Sequence, residues 1–176
     1  MSVSKQINQC QVRLEIGDIT DFEVEVFVFY ARKDLKLGTG FGNAITMRGG
    51  PSIQKELDEF GTAEVANVFI TEAGNMKAKH IIHAVGPKFQ EPDIEEKLAS
   101  TVTNALKKAT EKGFKQIAFP AMGAGFYGIP LPDCARIMFE NIGNYLQNSS
   151  DFKEIVVRVL DNREYQPFLT EFENLN

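Results

Sequence analysis

The stretch Ala118-Phe119-Pro120-Ala121-Met122-Gly123-Ala124-Gly125-Phe126-Tyr127-Gly128-Ile129-Pro130 decides the fold. It begins inside a short apolar segment, Gln116 to Phe119, that reads as a buried strand. A glycine-rich loop, Gly123 to Gly128, follows, and then a helical pattern from Leu131 to Leu146. Strand, glycine loop and helix in that order are the repeating parts of an α/β domain. A loop without Cβ atoms can turn its backbone N–H groups inward to cradle phosphate oxygens, helped by the dipole of the following helix. The same glycines also serve as plain turns, because φ > 0 costs them little. Neither a GxxxxGK loop ending in Ser or Thr nor a GxGxxG opening the first strand–helix unit is present.

The same order recurs upstream. Val24 to Tyr30 alternates at first and then turns solidly apolar, as a strand does when it enters an interior and is buried on both faces. Gly38-Thr39-Gly40-Phe41-Gly42 then leads to a short helix, Asn43 to Arg48. Pro51 stands in the first turn of a second helix that runs to Phe60. Val12 to Ile16 is a strand with one wet face, closed by Gly17-Asp18. Val65 to Thr71 and His80 to Val85 are further strands, and Ile155 to Leu160 is the sixth. Between Asp93 and Lys112, Ile94, Leu98, Val102, Ala105, Leu106 and Ala109 form one helical stripe. Asp93 is placed to cap that helix, and Gly113 follows its end. Tyr165 to Phe172 is the last helix. Strands alternating with helices predict an α/β domain with a six-stranded, mostly parallel sheet covered on both faces. Both glycine loops follow strand C-termini and so meet at one rim, where such sheets bind ligands.

Composition bounds the function. The chain has 176 residues, 43% apolar and 24% charged, which is ordinary globular usage and predicts one domain spanning residues 1–176. A chain of this mass should expose roughly 8,600 Å² when folded. Its net charge of −5 argues against direct nucleic-acid binding, which requires a basic face. Cys10 and Cys134 make no disulfide framework and no CxxC zinc site, so reduced thiols in the cytoplasm are expected. Met1 to Cys10 is too polar for a signal peptide, and no apolar run is long enough to span a membrane. His80 and His83 are three apart on a strand and face opposite sides, so no metal site is expected. Cys134 lacks an identifiable base and reads as an inert thiol. Phe41 and Phe126, inside the glycine loops, can pack on a ligand or plug the crevice.

Gly17-Asp18-Ile19-Thr20, the loop Gly38 to Phe41, His83-Ala84-Val85-Gly86-Pro87 and the stretch 118–130 occur in an order and spacing that resemble the macrodomain family, from Leu14 to Asp161. The resemblance implies a three-layer α/β/α fold around a mixed sheet. It also implies a rim crevice for ADP-ribose, free or attached to protein, and no cofactor. By position Asp18 would accept a hydrogen bond from the adenine amino group, with the Ile19 N–H nearby. Gly38, Thr39, Gly40 and Phe41, with Gly123, Ala124, Gly125, Phe126 and Tyr127, would hold the diphosphate and distal ribose. Leu160, just before Asp161, falls where relatives often place an aromatic ring on adenine; leucine forgoes stacking worth ~0.5–1.5 kcal/mol. A buried carboxylate at a strand end needs a donor, and adenine supplies one, although Asp18 also suits a turn.

Two positions depart from the family pattern. Hydrolytic relatives end the second strand in Asn-Ala-Ala-Asn, the second Asn orienting the distal ribose; this chain reads Phe29-Tyr30-Ala31-Arg32. Some hydrolases also carry an acidic residue just after the first glycine loop. Gly42 stands there, with no Asp or Glu within four residues. The expectation is therefore a binding module without the usual acid–base machinery. The rivals are an ADP-ribosyl or O-acetyl-ADP-ribose hydrolase, or an ADP-ribose 1″-phosphate phosphatase, with nonstandard groups, and a scaffold whose pocket is filled by Phe29, Tyr30 or Arg32. Arg32 itself can bond phosphate or ribose hydroxyls, or block the pocket.

Overall fold

The computed structural model describes residues 1–148 and 150–176. Its strands are β1 (Ser2–Ile7), β2 (Cys10–Ile16), β3 (Val26–Ala31), β4 (Val68–Glu72), β5 (His80–Val85), β6 (Gln116–Phe119) and β7 (Glu154–Val159). Its helices are α1 (Phe41–Gly49), α2 (Ser52–Phe60), α3 (Ile94–Glu111), α4 (Leu131–Gln147) and α5 (Asn162–Glu173). The strands form one seven-stranded sheet, ordered β1-β2-β7-β6-β3-β5-β4. The five central strands are parallel; β1 and β4 are antiparallel edges. The accessible surface is 8436 Å², close to the expectation from mass. Among the described residues no helix is long and apolar enough to cross a membrane.

The seventh strand corrects the expected six. β1, SVSKQI, carries Lys5 at its centre and has too few apolar residues to announce a strand. It pairs with β2 from Ser2↔Glu15 to Ile7↔Cys10 and closes one edge of the sheet. Polar and charged residues are what protect an edge from further pairing. Lys5 Nζ donates to the carbonyls of Glu173 and Leu175 at 2.8 and 2.7 Å, tying the edge to the end of α5.

Strand periodicity builds the layers. Val26, Val28 and Tyr30 of β3 face a core shared with α3, α4 and α5. Phe27, Phe29 and Ala31 face the opposite core, with Ile45 of α1 and Ile53 and Leu57 of α2. Phe29 and Tyr30, adjacent in sequence, therefore leave the rim in opposite directions. Asp93 differs from expectation: it lies in the left-handed region at φ 56°, and its side chain caps nothing. Just before it, Glu91 Oε1 accepts from the Lys88 N–H at 3.2 Å. Lys97 Nζ, from the first turn of α3, donates to Glu91 Oε2 at 3.4 Å. α5 begins at Asn162 because Asp161 Oδ1 accepts from the Glu164 N–H at 3.1 Å, an N-cap of the ordinary kind.

Candidate functional site

The five parallel strands all end at one rim. Above the ends of β2, β7, β6 and β3 lies a cleft of about 340 Å³. Three inter-strand gaps of ~4.8 Å make it ~14 Å long. Gly17, Ile19, Arg158, Leu160 and Glu164 line the β2–β7 end. Thr39 and Gly40 line it with Gly123, Ala124 and Gly125, so the two glycine loops do meet. Phe29, Tyr30, Arg32, Phe41, Phe126 and Tyr127 line the β3 end.

The loops present backbone rather than side chains. Gly40 is the N-cap of α1 and has no side-chain capping bond, so first-turn amides of α1 remain free to donate. Gly125 sits at φ +68°, and a Cβ built there would meet nothing within 4 Å. It faces the open cleft. Gly42 is the reverse case. A Cβ at that position would fall 1.6 Å from the Leu37 carbonyl oxygen, because the loop folds back onto the first turn of α1. This packing leaves no room for any side chain, and so none for an acidic residue.

At the β2–β7 end, Asp18 is not the buried carboxylate that the sequence predicts. Its side chain is 48% exposed, and it stands between two lining residues, Gly17 and Ile19, without lining the cleft itself. Oδ1 accepts from the Thr20 N–H at 2.9 Å and the Thr20 hydroxyl at 2.6 Å; Oδ2 accepts from Arg48 at 3.0 Å. Partial burial pushes the carboxyl up, but the Thr20 and Arg48 donors outweigh it and hold it below the ordinary carboxylate range. Leu160 is 63% exposed, and its N–H donates to Glu164 Oε2 at 2.8 Å. Asp161 does not line the cleft, its carboxylate being spent on capping α5. Gly38 lies just outside, with Arg32 Nη1 3.1 Å from where its Cβ would be.

Sequence reasoning missed Arg158 and Glu164. Arg158 Nη1 donates to Glu15 Oε1 at 2.6 Å, and its guanidinium lies 4.3 Å from the Phe22 ring centroid. The group covers Gly17 so closely that a Cβ there would meet Arg158 Nε at 2.3 Å. The available signal was a lone cation near the end of the apolar strand EIVVRV, in register with Glu15. For Glu164 it was Asp161-x-x-Glu164, the spacing of a capping box.

At the β3 end the departures from the family pattern are packed into place. Phe29 lies 5.1 Å from Phe41, and Tyr30 lies 4.5 Å from Tyr127, ring centre to ring centre. The Tyr30 hydroxyl donates to the Pro87 carbonyl. Burial pushes the Tyr30 phenol far above its ordinary range and raises Tyr127 as well. Phe29 and Tyr30 thus form a wall of the cleft rather than a plug. Arg32 is half-exposed, and its Nη2 pairs with Asp34 at 2.7 Å.

Little in the cleft can move a proton. Its lining holds no His, Cys or Asp, and its one carboxylate, Glu164, is engaged by the Leu160 N–H. Cys134 is buried, and burial pushes its thiol up to about 12. His83 lies beneath the sheet's end, Nε2 2.9 Å from the Thr71 hydroxyl, with burial pushing its imidazole down to about 3. Among the described residues no three His, Cys, Asp or Glu side chains converge as metal ligands.

The Macro domain family matches residues 30–138, more than half of the chain. The chain belongs to the macrodomain family. The match includes the Phe29–Arg32 tail from Tyr30 onward and the whole second glycine loop. A macro domain-containing protein of Caldanaerobacter subterraneus is 37% identical to this macrodomain over 172 residues, 94% of this chain and 98% of that protein. An O-acetyl-ADP-ribose deacetylase of Cronobacter turicensis is 32% identical over 169 residues, 89% of this chain and 94% of that protein. A mutant macrodomain of Oceanobacillus iheyensis, solved with ADP-ribose, superposes with a TM-score of 0.95 at 30% identity, covering 99% of this chain and 98% of that one.

Proposed function

We propose that this chain is a single module that binds ADP-ribose, free or carried on protein, without turning it over. The observation that carries this reading is the cleft itself: two backbone-donor loops at its centre, and no free acid, base or nucleophile in its lining. Adenine lies at the β2–β7 end, against Leu160 and Ile19, within reach of Asp18. The diphosphate lies between the glycine loops, where backbone N–H groups and the α1 N-terminus favour anions. The distal ribose lies at the β3 end, against Phe41, Phe126 and Tyr127, with Arg32 at its rim. The two buried, unpaired thiols, Cys10 and Cys134, fit a reducing compartment, and we place the module in the cytoplasm.

The second reading is hydrolysis of O-acetyl-ADP-ribose, favoured by the deacetylase relative. Incubation with O-acetyl-ADP-ribose and with ADP-ribose 1″-phosphate, followed by chromatography, separates the two. Both substrates recovered intact after many binding lifetimes is the expected result. Release of acetate or phosphate that Gly125→Val abolishes would install the enzyme reading instead.

A further inference from the structure

A second cavity, of about 430 Å³, adjoins the cleft and shares Arg32, Phe126 and Tyr127 with it. It lies one strand further along the sheet. Ala31 and Arg32 close β3, Gly86 follows β5, and both ends line this cavity. β5 flanks β3 on the side away from β6. With adenine over β2 and β7 and the distal ribose over β3, the ribose C1″ bond runs past Tyr127 and Arg32 into this space. C1″ is the carbon through which ADP-ribose is joined to protein. The second cavity is therefore where the modified polypeptide lies.

Its charges do not cancel. Arg32 is matched by Asp34 at 2.7 Å and Lys33 by Glu64 at 3.6 Å. Glu91 takes the Lys97 ammonium at 3.4 Å and the Lys88 N–H at 3.2 Å. The Lys88 ammonium is exposed and has no ion-pair partner among the described residues. Every carboxylate here is engaged and one ammonium is left over. Beside it stand two exposed rings, Phe126 at 88% and Phe89 at 48%, joined through the Phe89 N–H, which donates to the Tyr127 carbonyl at 2.9 Å. An unmatched cation beside apolar rings is complementary to a chain bearing a carboxylate.

We propose that this second cavity docks the polypeptide that carries ADP-ribose, and that Lys88 selects a segment with an acidic side chain next to the modified residue. The inference rests on the ADP-ribose reading above. Its test is a calorimetric titration at low salt with three ligands. These are free ADP-ribose and two peptides, each ADP-ribosylated at one identical site, flanked by Glu in one and by Gln in the other. Exposed ion pairs of this kind correspond to roughly a 2- to 5-fold preference. The acid-flanked peptide should bind tighter by that factor, and the preference should vanish in high salt. Lys88→Glu should abolish or reverse it while leaving free ADP-ribose unchanged; Lys88 is exposed, so the variant should fold. Equal binding of the two peptides, or a preference that survives Lys88→Glu, would overturn the inference alone. Failure of free ADP-ribose to bind would instead remove the reading beneath it, and the inference with it.

Discussion

Asp18→Ala tests adenine recognition apart from the rest of the cleft. A stranded buried partner would cost ~1–3 kcal/mol. The side chain is 48% exposed, however, so water replaces part of what is lost. About 1–1.5 kcal/mol is the appropriate range, or roughly a 5- to 12-fold weaker Kd. The substitution also removes the Thr20 donors' partner and the Arg48 ion pair, at a cost to fold stability of ~1 kcal/mol, as for a lost cap. That second effect must be kept out of the binding number. Titrating both proteins with ADP-ribose and with its hypoxanthine analogue, which lacks the amino donor, isolates the adenine bond. The parent should favour ADP-ribose by the stated factor, and Asp18→Ala should bind both ligands alike. Arg48→Ala should keep most of the preference, because Thr20 still holds Oδ1. Equal binding of the two ligands by the parent, or a preference retained in Asp18→Ala, would show that this carboxylate does not read adenine.

Gly125→Val places a branched side chain at φ +68° on an open cleft wall, and should abolish ADP-ribose binding while the Tm falls only modestly; retained affinity in a titration would mean that the ligand does not cross this loop. Gly42→Asp, which supplies the acidic residue of some hydrolytic relatives, should give no turnover and cost about 2–3 kcal/mol by overpacking against Leu37, or roughly 5–10 °C in Tm; a stable, active variant would refute the close packing. His83 should stay neutral in the fold down to about pH 3, whereas its unfolded value is 6.5. The unfolded state therefore takes up the proton first, and this contribution to stability is complete above pH 6.5 and lost as pH falls toward 3. By pH 5 it amounts to about 2 kcal/mol, readable in urea unfolding and absent in His83→Gln. An NMR titration of His83 with a midpoint near 6 would contradict it.

The elements that position the site were legible because they are strongly patterned. Val26 to Ala31 and Gln116 to Phe119 are central strands, and the glycine runs after them have no rival reading as helix or strand. β1 was not legible, since SVSKQI has an edge strand's polarity and only its pairing with β2 reveals it. Asp93 has a capping residue's identity, but its left-handed backbone turns the side chain away from the helix start. The site was legible where backbone does the binding and less so where long side chains do. Arg158 reaches the cleft only because Glu15 on the neighbouring strand and Phe22 hold it there, a juxtaposition set by register. Asp18 was placed rightly beside the crevice but with the wrong solvation, because Arg48, its partner across the rim, belongs to α1. Gly42 read as a missing acid; Leu37's carbonyl shows that the position admits no side chain.

The most direct measurement is a calorimetric titration with ADP-ribose, run beside AMP and ADP. Micromolar binding of ADP-ribose, clearly tighter than AMP, is the expected result, because the cleft engages adenine at β2–β7 and the distal ribose at β3 in one ligand. No binding at millimolar ADP-ribose, or affinity no better than that of AMP, would contradict it and leave the aromatic wall of Phe29, Phe41 and Tyr30 as a closed end.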